Sequence, residues 1–135
     1  MALIDDIKKH EGFSPVVYQC TAGYDTIGYG QRVKYLKVTQ EQAEEWLEEE
    51  LQNLRYILAD KYNWFLPAPT EVQDIVMNMN YQLGVTSFSK FKKTIHLLEN
   101  KDYKGASEEM LDSKWARDDT PRRAKDLSDR LKQVE

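Results

Sequence analysis

The chain has 135 residues, of which 41% are hydrophobic and 31% charged, with six glycines and four prolines. This length favours one domain or two tightly coupled lobes, and the composition excludes a disordered or fibrous protein. The formal net charge of −4, from 19 basic and 23 acidic residues, lacks the basic footprint of a nucleic-acid-binding protein. No apolar run is long enough to span a membrane, so we expect no stable membrane insertion.

Cysteine and histidine are too few for a disulfide or a metal site. The single Cys20 excludes an internal disulfide, and the separated His10 and His96 lack metal-ligand spacing, so we expect no metal and no cofactor. The N-terminus has no basic segment followed by an apolar one, as a secretory signal would have. We therefore expect a protein that is made and held in a cytoplasm.

The N-terminal part of the chain predicts one helix followed by a small β element. The helix is expected over about residues 3–11, with Glu11 as its last residue, because Gly12 stands where a helix commonly stops. Over about residues 16–34, β-forming residues and glycines suited to tight turns predict a hairpin or a three-stranded sheet. The glycines are Gly23, Gly28 and Gly30, and the β-formers are Val17, Tyr18, Tyr24, Ile27 and Tyr29.

The remainder of the chain predicts helices. Thr39 and Gln42 have the spacing of a capping box, and the helix they open has an apolar stripe that continues to Leu58. Six glutamates between residues 41 and 50 mainly form the solvated face of this helix.

A central helix and three shorter ones complete the chain. Thr70 is predicted to cap a long helix that ends near Gly84 and is apolar on most faces, with polar exceptions. The fold class is therefore α+β, mostly helical, with one small sheet near the N-terminus. The polar exceptions are Asn78, Asn80 and Gln82, and the shorter helices are expected at about 88–99, 102–112 with Asp102 as cap, and 120–133 with Thr120 as cap and Pro121 first.

Glu11, Cys20 and Thr26 form the candidate site. They supply an acid, a soft nucleophile or base, and a hydroxyl, as group transfer or hydrolysis requires. Each residue alone has a simpler interpretation. A glutamate at a helix end commonly faces solvent, a lone cysteine commonly fills a small buried space, and a threonine is a common residue of β-strands. We expect the β element to fold back on the first helix, which would bury the apolar face of that helix and let the three side chains share a cleft.

An acid that stays protonated near neutral pH needs apolar enclosure. Phe13 and the tyrosines of the β element are expected to provide it for Glu11. Asp25 is the rival second carboxylate, although strand alternation directs its side chain away from the face that Thr26 occupies.

The candidate site has the spacing of a known family. Glu11, eight residues, Cys20, five residues and Thr26, followed by Ile27-Gly-Tyr-Gly30, resembles the catalytic motif of phage-type lysozymes, the endolysins related to the T-even phage enzyme. Three further stretches resemble that family in the same order. Residues 38–44 resemble its capped helix after the β region, 78–84 its buried central helix, and 113–124 its closing segment on the substrate side.

The resemblance implies a lysozyme-like single domain over residues 1–135, with a first lobe at about 1–58, a helical lobe at about 70–135 and a cleft between them. It implies hydrolysis of the β-1,4 bond between N-acetylmuramic acid and N-acetylglucosamine of peptidoglycan. Glu11 would be the general acid, Cys20 would activate water or stabilise positive charge on the opposite sugar face, and Thr26 would help hold that water. Direct attack by water implies inversion at the anomeric carbon.

Two residues depart from the family pattern. The family often carries Asp at the place of Cys20 but admits Cys, and a thiol acts as a base only with a lowered pKa or at mildly alkaline pH. The thiolate has the alternative of attacking the sugar covalently, with retention as the result, and Cys20 has the further alternative of being a spectator. Gln31 stands where the family usually has His, which would alter a supporting contact.

The resemblance also implies substrate contacts in both lobes. One of the candidates, Trp115, has the alternative role of a core residue. Another, Arg123, would either pair with a local acid or meet the peptide carboxylates of the wall. Five lysines between residues 90 and 104 give the helical lobe a basic side suited to an anionic polymer, although a solvated face explains them nearly as well. The substrate-binding candidates are Gly30, Tyr81, Gln82, Thr94, Trp115, Thr120 and Arg123.

The expected function is that of a peptidoglycan-hydrolysing endolysin that causes bacterial lysis. One alternative is a module that binds the cell wall with a lysozyme fold but without turnover, which Cys20 would favour, and another is a small helical interaction domain. The expected partner is the glycan strand of peptidoglycan, with no nucleic acid, and the chain is expected to be a monomer. It would stay in the host cytoplasm until a membrane lesion, such as a holin provides, lets it reach the periplasm and wall.

Overall fold

A computed structural model describes residues 2–135, which form two compact units divided between Glu44 and Glu45. The first unit contains a helix and a small sheet, and the second is helical. The chain is 64% helical with a three-stranded antiparallel sheet near its N-terminus, which confirms the predicted α+β class. The expectation of one domain with a first lobe reaching residue 58 stays a prediction.

The first unit begins with helix α1, Ala2–Glu11, as predicted. Its antiparallel sheet has the order β1-β2-β3, so of the two predicted alternatives the three-stranded one is observed. Thr26 pairs with Tyr18 on one side and with Arg32 on the other, which places it in the middle of the sheet. The strands are β1, Ser14–Gln19, β2, Asp25–Gly28, and β3, Gln31–Arg32, and a 3₁₀ helix, Val33–Tyr35, follows them.

The apolar face of helix α1 is exposed, contrary to the prediction that the β element buries it. Leu3, Ile4 and Ile7 are exposed, and no residue of Ala2–Glu11 is buried. Thr26 is the one buried residue of the three strands, so the sheet does not pack over the apolar face of this helix. Helix and sheet meet just beyond the end of α1, where the ring centroids of Phe13 and Tyr29 are 5.5 Å apart.

Helix α2, Gln40–Lys61, starts at the predicted capping box and contains the division between the units. The N–H of Thr39 donates to Gln42 Oε1 at 3.0 Å, and the N–H of Gln42 donates to Thr39 Oγ1 at 3.1 Å, which confirms the box. Although α2 has 22 residues, no helix among residues 2–135 is apolar enough over the length needed to cross a membrane.

Helix α3, Thr70–Leu83, is the central helix of the second unit, as its apolar run predicted. The prediction that Thr70 caps it is wrong. Pro69 occupies the N-cap position with an extended ψ of 149°, and Thr70 is already the first helical residue. The buried residues of α3 are Val72, Ile75, Val76, Met77, Met79 and Asn80.

The helix predicted at 88–99 is in fact two helices, α4, Val85–Phe88, and α5, Lys92–Glu99. Phe91 interrupts the helical backbone with a ψ of 57°, and its ring stacks on that of Phe88 with centroids 6.2 Å apart. The break thus lets both aromatic rings pack together. Helix α6, Tyr103–Glu109, is shorter than predicted. Its predicted cap is confirmed, because Asp102 Oδ1 accepts a hydrogen bond from the N–H of Gly105 at 2.9 Å.

The last part of the chain contains a π-helix, Trp115–Asp119, that the sequence did not predict. Helix α7, Pro121–Lys132, begins at Pro121 as predicted, but the Thr120 side chain makes no capping hydrogen bond to it. An apolar core occupies the second unit. Its fully buried large side chains include Leu58, Phe65, Val72, Ile75, Met79, Phe88, Met110, Leu127 and Leu131.

Candidate active site

Glu11 is the last residue of α1, and its carboxylate lies against the turn between β2 and β3. The helix ends there because Gly12 has a φ of +71°, in the left-handed region. A Cβ atom placed on Gly30 would lie 2.5 Å from Glu11 Oε2, closer than real contacts allow. The glycine therefore gives the carboxylate access to the backbone. The expected apolar enclosure is not present, since Glu11 is exposed and Phe13 is 65% exposed.

Gln31 supports the turn against which Glu11 lies. Its Oε1 accepts a hydrogen bond from the N–H of Tyr29 at 2.7 Å. The same oxygen lies so close to Gly28 that a Cβ there would clash with it. Gly28 and Gly30 have φ values of +71° and +79°, which favour glycine. Gln31, one of the two residues that depart from the family pattern, thus supports this turn.

Cys20 and Thr26 lie together at one end of the β1–β2 hairpin. The N–H of Cys20 donates to the carbonyl oxygen of Tyr24 at 3.0 Å, and the N–H of Gly23 donates to that of Cys20 at 2.8 Å, which closes a tight turn. Thr26 is only 2% exposed, and its hydroxyl donates to the Tyr24 carbonyl oxygen at 2.8 Å. The Tyr24 carbonyl is therefore a common acceptor for both residues.

The surroundings of Cys20 favour its thiolate. Hydrogen bonds from the backbone of Tyr24 and then of Ala22 lower the pKa of the Cys20 thiol, while burial opposes them. The Thr26 hydroxyl and the positive charge of Arg32 lower this pKa further. A lowered pKa has the direction that a thiol acting as a base at neutral pH requires. The Thr26 hydroxyl has a single proton to donate, to either the carbonyl oxygen or the sulfur.

The first unit therefore forms two pairs of candidate residues, Glu11 with Gly30 and Cys20 with Thr26. Strand β2 and the turn after it connect them, because Thr26 lies in β2 and Gly30 in that turn. Asp25 pairs with Gln19 and is exposed, whereas Thr26 is buried, so the two neighbours alternate between faces as predicted.

In the second unit, Gln82 joins two of the predicted substrate-binding residues. The indole N–H of Trp115 donates to Gln82 Oε1 at 2.9 Å. Gln82 Nε2 donates in turn to Thr120 Oγ1 at 3.3 Å. These bonds connect α3 with both ends of the π-helix segment. Thr120 thus serves as an acceptor for Gln82, and its side chain forms no capping hydrogen bond to α7.

Within residues 2–135, Arg123 does not pair with a local acid, which was one of the two alternatives that the sequence suggested, and its contact with the wall stays a prediction. Its Nε donates to Asn78 Oδ1 at 2.8 Å, and a terminal guanidinium nitrogen donates to the Asn78 carbonyl oxygen at 3.1 Å. Among the residues that the structure describes, Arg123 forms no ion pair with an acid. An amide and a backbone carbonyl replace the expected carboxylate, because α3 presents Asn78 to α7.

The other candidates of the second unit divide by exposure. Trp115 and Thr94 are 3% and 2% exposed, which fits the core role that the sequence left open for Trp115. Tyr81 is 49% exposed and lines a cavity of about 530 Å³ together with Ile57 and Val85. Tyr81 thus offers an aromatic surface to a ligand, whereas Trp115 is buried and supports Gln82 and Thr94 is buried.

Sequence reasoning singled out Gln31 for a supporting contact, and Gln31 supports the β2–β3 turn. It missed the roles of two residues: Arg32 adds positive charge near Cys20, and Asn78 holds Arg123. Asn78 had a signal, since it is polar within an apolar helix. Arg32 had none, because an isolated arginine forms no pattern until strand pairing places it.

Comparisons with known proteins place the chain in a family. The sequence profile of a family described as Phage lysozyme matches residues 8–133, a range that contains all three candidate catalytic residues and parts of both units. An endolysin of Acyrthosiphon pisum secondary endosymbiont phage 1 is 32% identical over 114 residues, which cover 82% of this chain and 75% of that protein.

Proposed function

The chain belongs to the phage lysozyme family, and from that premise we propose that it cleaves the β-1,4 bond between N-acetylmuramic acid and N-acetylglucosamine with Glu11, Cys20 and Thr26. Family membership makes the chain a lysozyme that hydrolyses peptidoglycan. One observation is the main support for these residue roles. A single small unit holds Glu11 against Gly30 and Cys20 beside Thr26, in the order of the family motif.

Glu11 is the proposed general acid. Its carboxyl proton passes to the glycosidic oxygen while the bond from that oxygen to the anomeric carbon breaks, so the departing sugar leaves as a neutral alcohol. Positive charge develops at the anomeric carbon. The close approach that Gly30 permits fixes the carboxyl group at the end of α1, which supports a defined direction for proton donation.

Cys20 and Thr26 are the proposed partners on the opposite face of the sugar. The thiolate takes a proton from water as the water oxygen bonds to the anomeric carbon, and the product has inverted configuration. In the arrangement in which the Thr26 hydroxyl donates its one proton to the Tyr24 carbonyl oxygen, its lone pairs are available to accept a hydrogen bond from that water. Solvent then returns a proton to Glu11 and removes one from the thiol.

A covalent route is the alternative for Cys20. The thiolate would attack the anomeric carbon and form a thioglycoside, and water would later displace the sulfur, with retained configuration overall. The anomeric configuration of the first-formed product, measured by NMR on a soluble glycan, separates the two routes. We expect inversion.

The helical unit supplies the proposed substrate contacts. We propose that Tyr81 packs against a sugar ring and that Gln82, Thr120 and Arg123 bind polar groups of the substrate. Trp115 donates its indole proton to Gln82, so it fixes the side-chain amide of a binding residue. Thr94 of the helical unit and Gly30 of the first unit are the remaining proposed substrate contacts.

We further propose that the enzyme acts as a monomer and reaches the wall from the host cytoplasm after a holin opens the membrane. Sedimentation of the purified chain tests the first point. Lysis timing in host cells that express the chain with and without a holin tests the second. Lysis without any membrane lesion would contradict it.

The Glu11→Gln variant tests the catalytic assignment. The amide cannot donate the proton, so we expect the release of reducing ends from purified sacculi to fall by about 10²–10⁴-fold. Asp25→Asn is the matched control, because it neutralises a carboxylate of the same unit on the other sheet face, and it should stay within about twofold of wild type. Clearing of chloroform-treated Gram-negative cells should follow the same order.

Two outcomes would contradict this proposal. A Glu11→Gln variant as active as wild type would remove Glu11 as the acid. Wild-type protein that binds sacculi yet releases no reducing ends over a broad pH range would favour the wall-binding module without turnover.

Cys20 variants test the base. Cys20→Ser should lose activity, while Cys20→Asp should retain it. The thiolate is present above the thiol pKa, so wild-type activity should rise as pH increases through that pKa. A carboxyl group ionises near about pH 3.9, so the acidic limb of the Cys20→Asp pH profile should lie at lower pH. Full activity of Cys20→Ser would instead make Cys20 a spectator.

A further inference from the structure

Arg32 is a charged residue that the proposed mechanism leaves without a role. It is the last residue of β3 and pairs directly with Thr26 of β2 in the antiparallel register. Its guanidinium carbon lies 3.9 Å from the centroid of the Tyr24 ring, a close cation–π contact. The arginine is therefore held over an aromatic ring on a strand adjacent to the candidate site.

Strand pairing places Arg32 on the side of the sheet that Thr26 occupies. Residues directly opposite each other in an antiparallel pair project to the same face. Tyr24 immediately precedes β2, and its carbonyl oxygen accepts the N–H of Cys20. Register and cation–π contact thus direct the guanidinium towards the end of the hairpin that carries Cys20.

We propose that Arg32 is a positioning residue whose positive charge, held on the Tyr24 ring, keeps Cys20 in the thiolate form needed for catalysis. This inference rests on the proposed role of Cys20 as the base. Arg32 favours ionisation of the thiol at a position where the family often has a carboxylate, which is ionised at neutral pH without help.

The other groups around Cys20 leave Arg32 a distinct contribution. Tyr18 on β1 and Tyr24 beside β2 are phenols, and Asp25 on β2 is a carboxylate that alternates with Thr26 along the strand but lines one cavity together with Tyr24, Arg32 and Lys34. Lys34 adds a second positive charge, but its Nζ lies 5.8 Å from the Tyr24 ring centroid, farther than the guanidinium. Backbone hydrogen bonds have the largest influence on the thiol, so removing Arg32 should change its ionisation moderately.

The direct test measures thiolate formation without requiring lysis activity. The rate at which iodoacetamide alkylates Cys20, followed from pH 6 to about pH 10, reports the thiolate fraction. The variants are Arg32→Gln, which removes the charge, and Arg32→Lys, which keeps it. Lys34→Gln is the matched control, because it removes one positive charge from the same strand end.

For Arg32→Gln we expect the alkylation rate at pH 7 in low salt to fall about threefold, with a plateau at high pH equal to that of wild type. The equal plateau shows that the hairpin is intact. Arg32→Lys should restore most of the rate, and Lys34→Gln should change it less. Added salt should slow alkylation of wild type at pH 7 and slow that of Arg32→Gln less, because wild type has one more positive charge near the thiol for salt to screen.

An alkylation profile of Arg32→Gln that coincides with wild type would overturn the inference, whatever the activity of the protein. An effect of Lys34→Gln as large as that of Arg32→Gln would overturn it too, since the charge would then act without the Tyr24 contact. Failure of the underlying proposal has a different signature, namely full lysis activity of Cys20→Ser. In the Cys20→Asp background, Arg32→Gln should change activity at pH 7 by less than about twofold, because that carboxylate is already ionised.

Discussion

Each of the two compact units of this lysozyme is stabilised by a different kind of interaction. Among residues 2–44, Thr26 is the one buried residue, whereas the buried apolar core from Leu54 to Leu131 lies in the second unit. The candidate catalytic residues occupy the unit without an apolar core. Their positions therefore depend on glycine turns, backbone hydrogen bonds and strand register. The helical unit depends on apolar burial, so the same kind of substitution should affect the two units differently.

The largest contrast is expected for leucine truncation. Leu58 is fully buried and Leu3 is 68% exposed. Leu58→Ala should lower the free energy of unfolding by about 2–5 kcal/mol, because it leaves a cavity in the core. Leu3→Ala should change it by less than about 0.5 kcal/mol. Urea unfolding followed by tryptophan fluorescence and far-UV circular dichroism measures both, and equal losses would show that α1 is buried in solution.

A smaller effect, on activity, is expected from the glycine that accommodates Glu11. Gly30→Ala places a methyl group where the carboxylate lies, and a displacement of about 1 Å costs up to about 10²-fold in rate. Gly23→Ala is the matched control: its φ of +84° causes similar backbone strain, but no described atom lies within 4 Å of the added Cβ. Release of reducing ends should fall much further for Gly30→Ala. Equal losses in the two variants would assign the effect to backbone strain alone.

The smallest effect is expected in the polar cluster of the helical unit. Gln82→Leu leaves the indole N–H of buried Trp115 without its acceptor, so the free energy of unfolding should fall by about 1–3 kcal/mol. Gln52→Leu is the control, since Gln52 is exposed and its side-chain amide donates to the Tyr56 hydroxyl on its own helix. Urea unfolding compares them, and an unchanged stability of Gln82→Leu would show that water replaces the lost acceptor.

Local sequence signals predicted the helices well where the chain itself contains the determinant. The capping box at Thr39, the cap at Asp102 and the start of α7 at Pro121 each depend on residues within one turn of the helix end. The break at Phe91 and the π-helix before Thr120 were not predicted. At the first site the ring of Phe91 stacks on that of Phe88, and at the second the indole of Trp115 bonds to Gln82 of α3. Hydrophobic periodicity along the chain does not reveal such contacts.

For this protein, the sequence alone determined the α+β class, the order of its elements and the family motif of Glu11, Cys20 and Thr26, because these depend on spacing and local backbone preference. Only the tertiary structure decided which side chains meet. It showed that Glu11 lies on Gly30 and that Arg123 pairs with Asn78, and it placed Arg32 opposite Thr26. Such contacts depend on strand register and helix packing, which join residues that are distant along the chain.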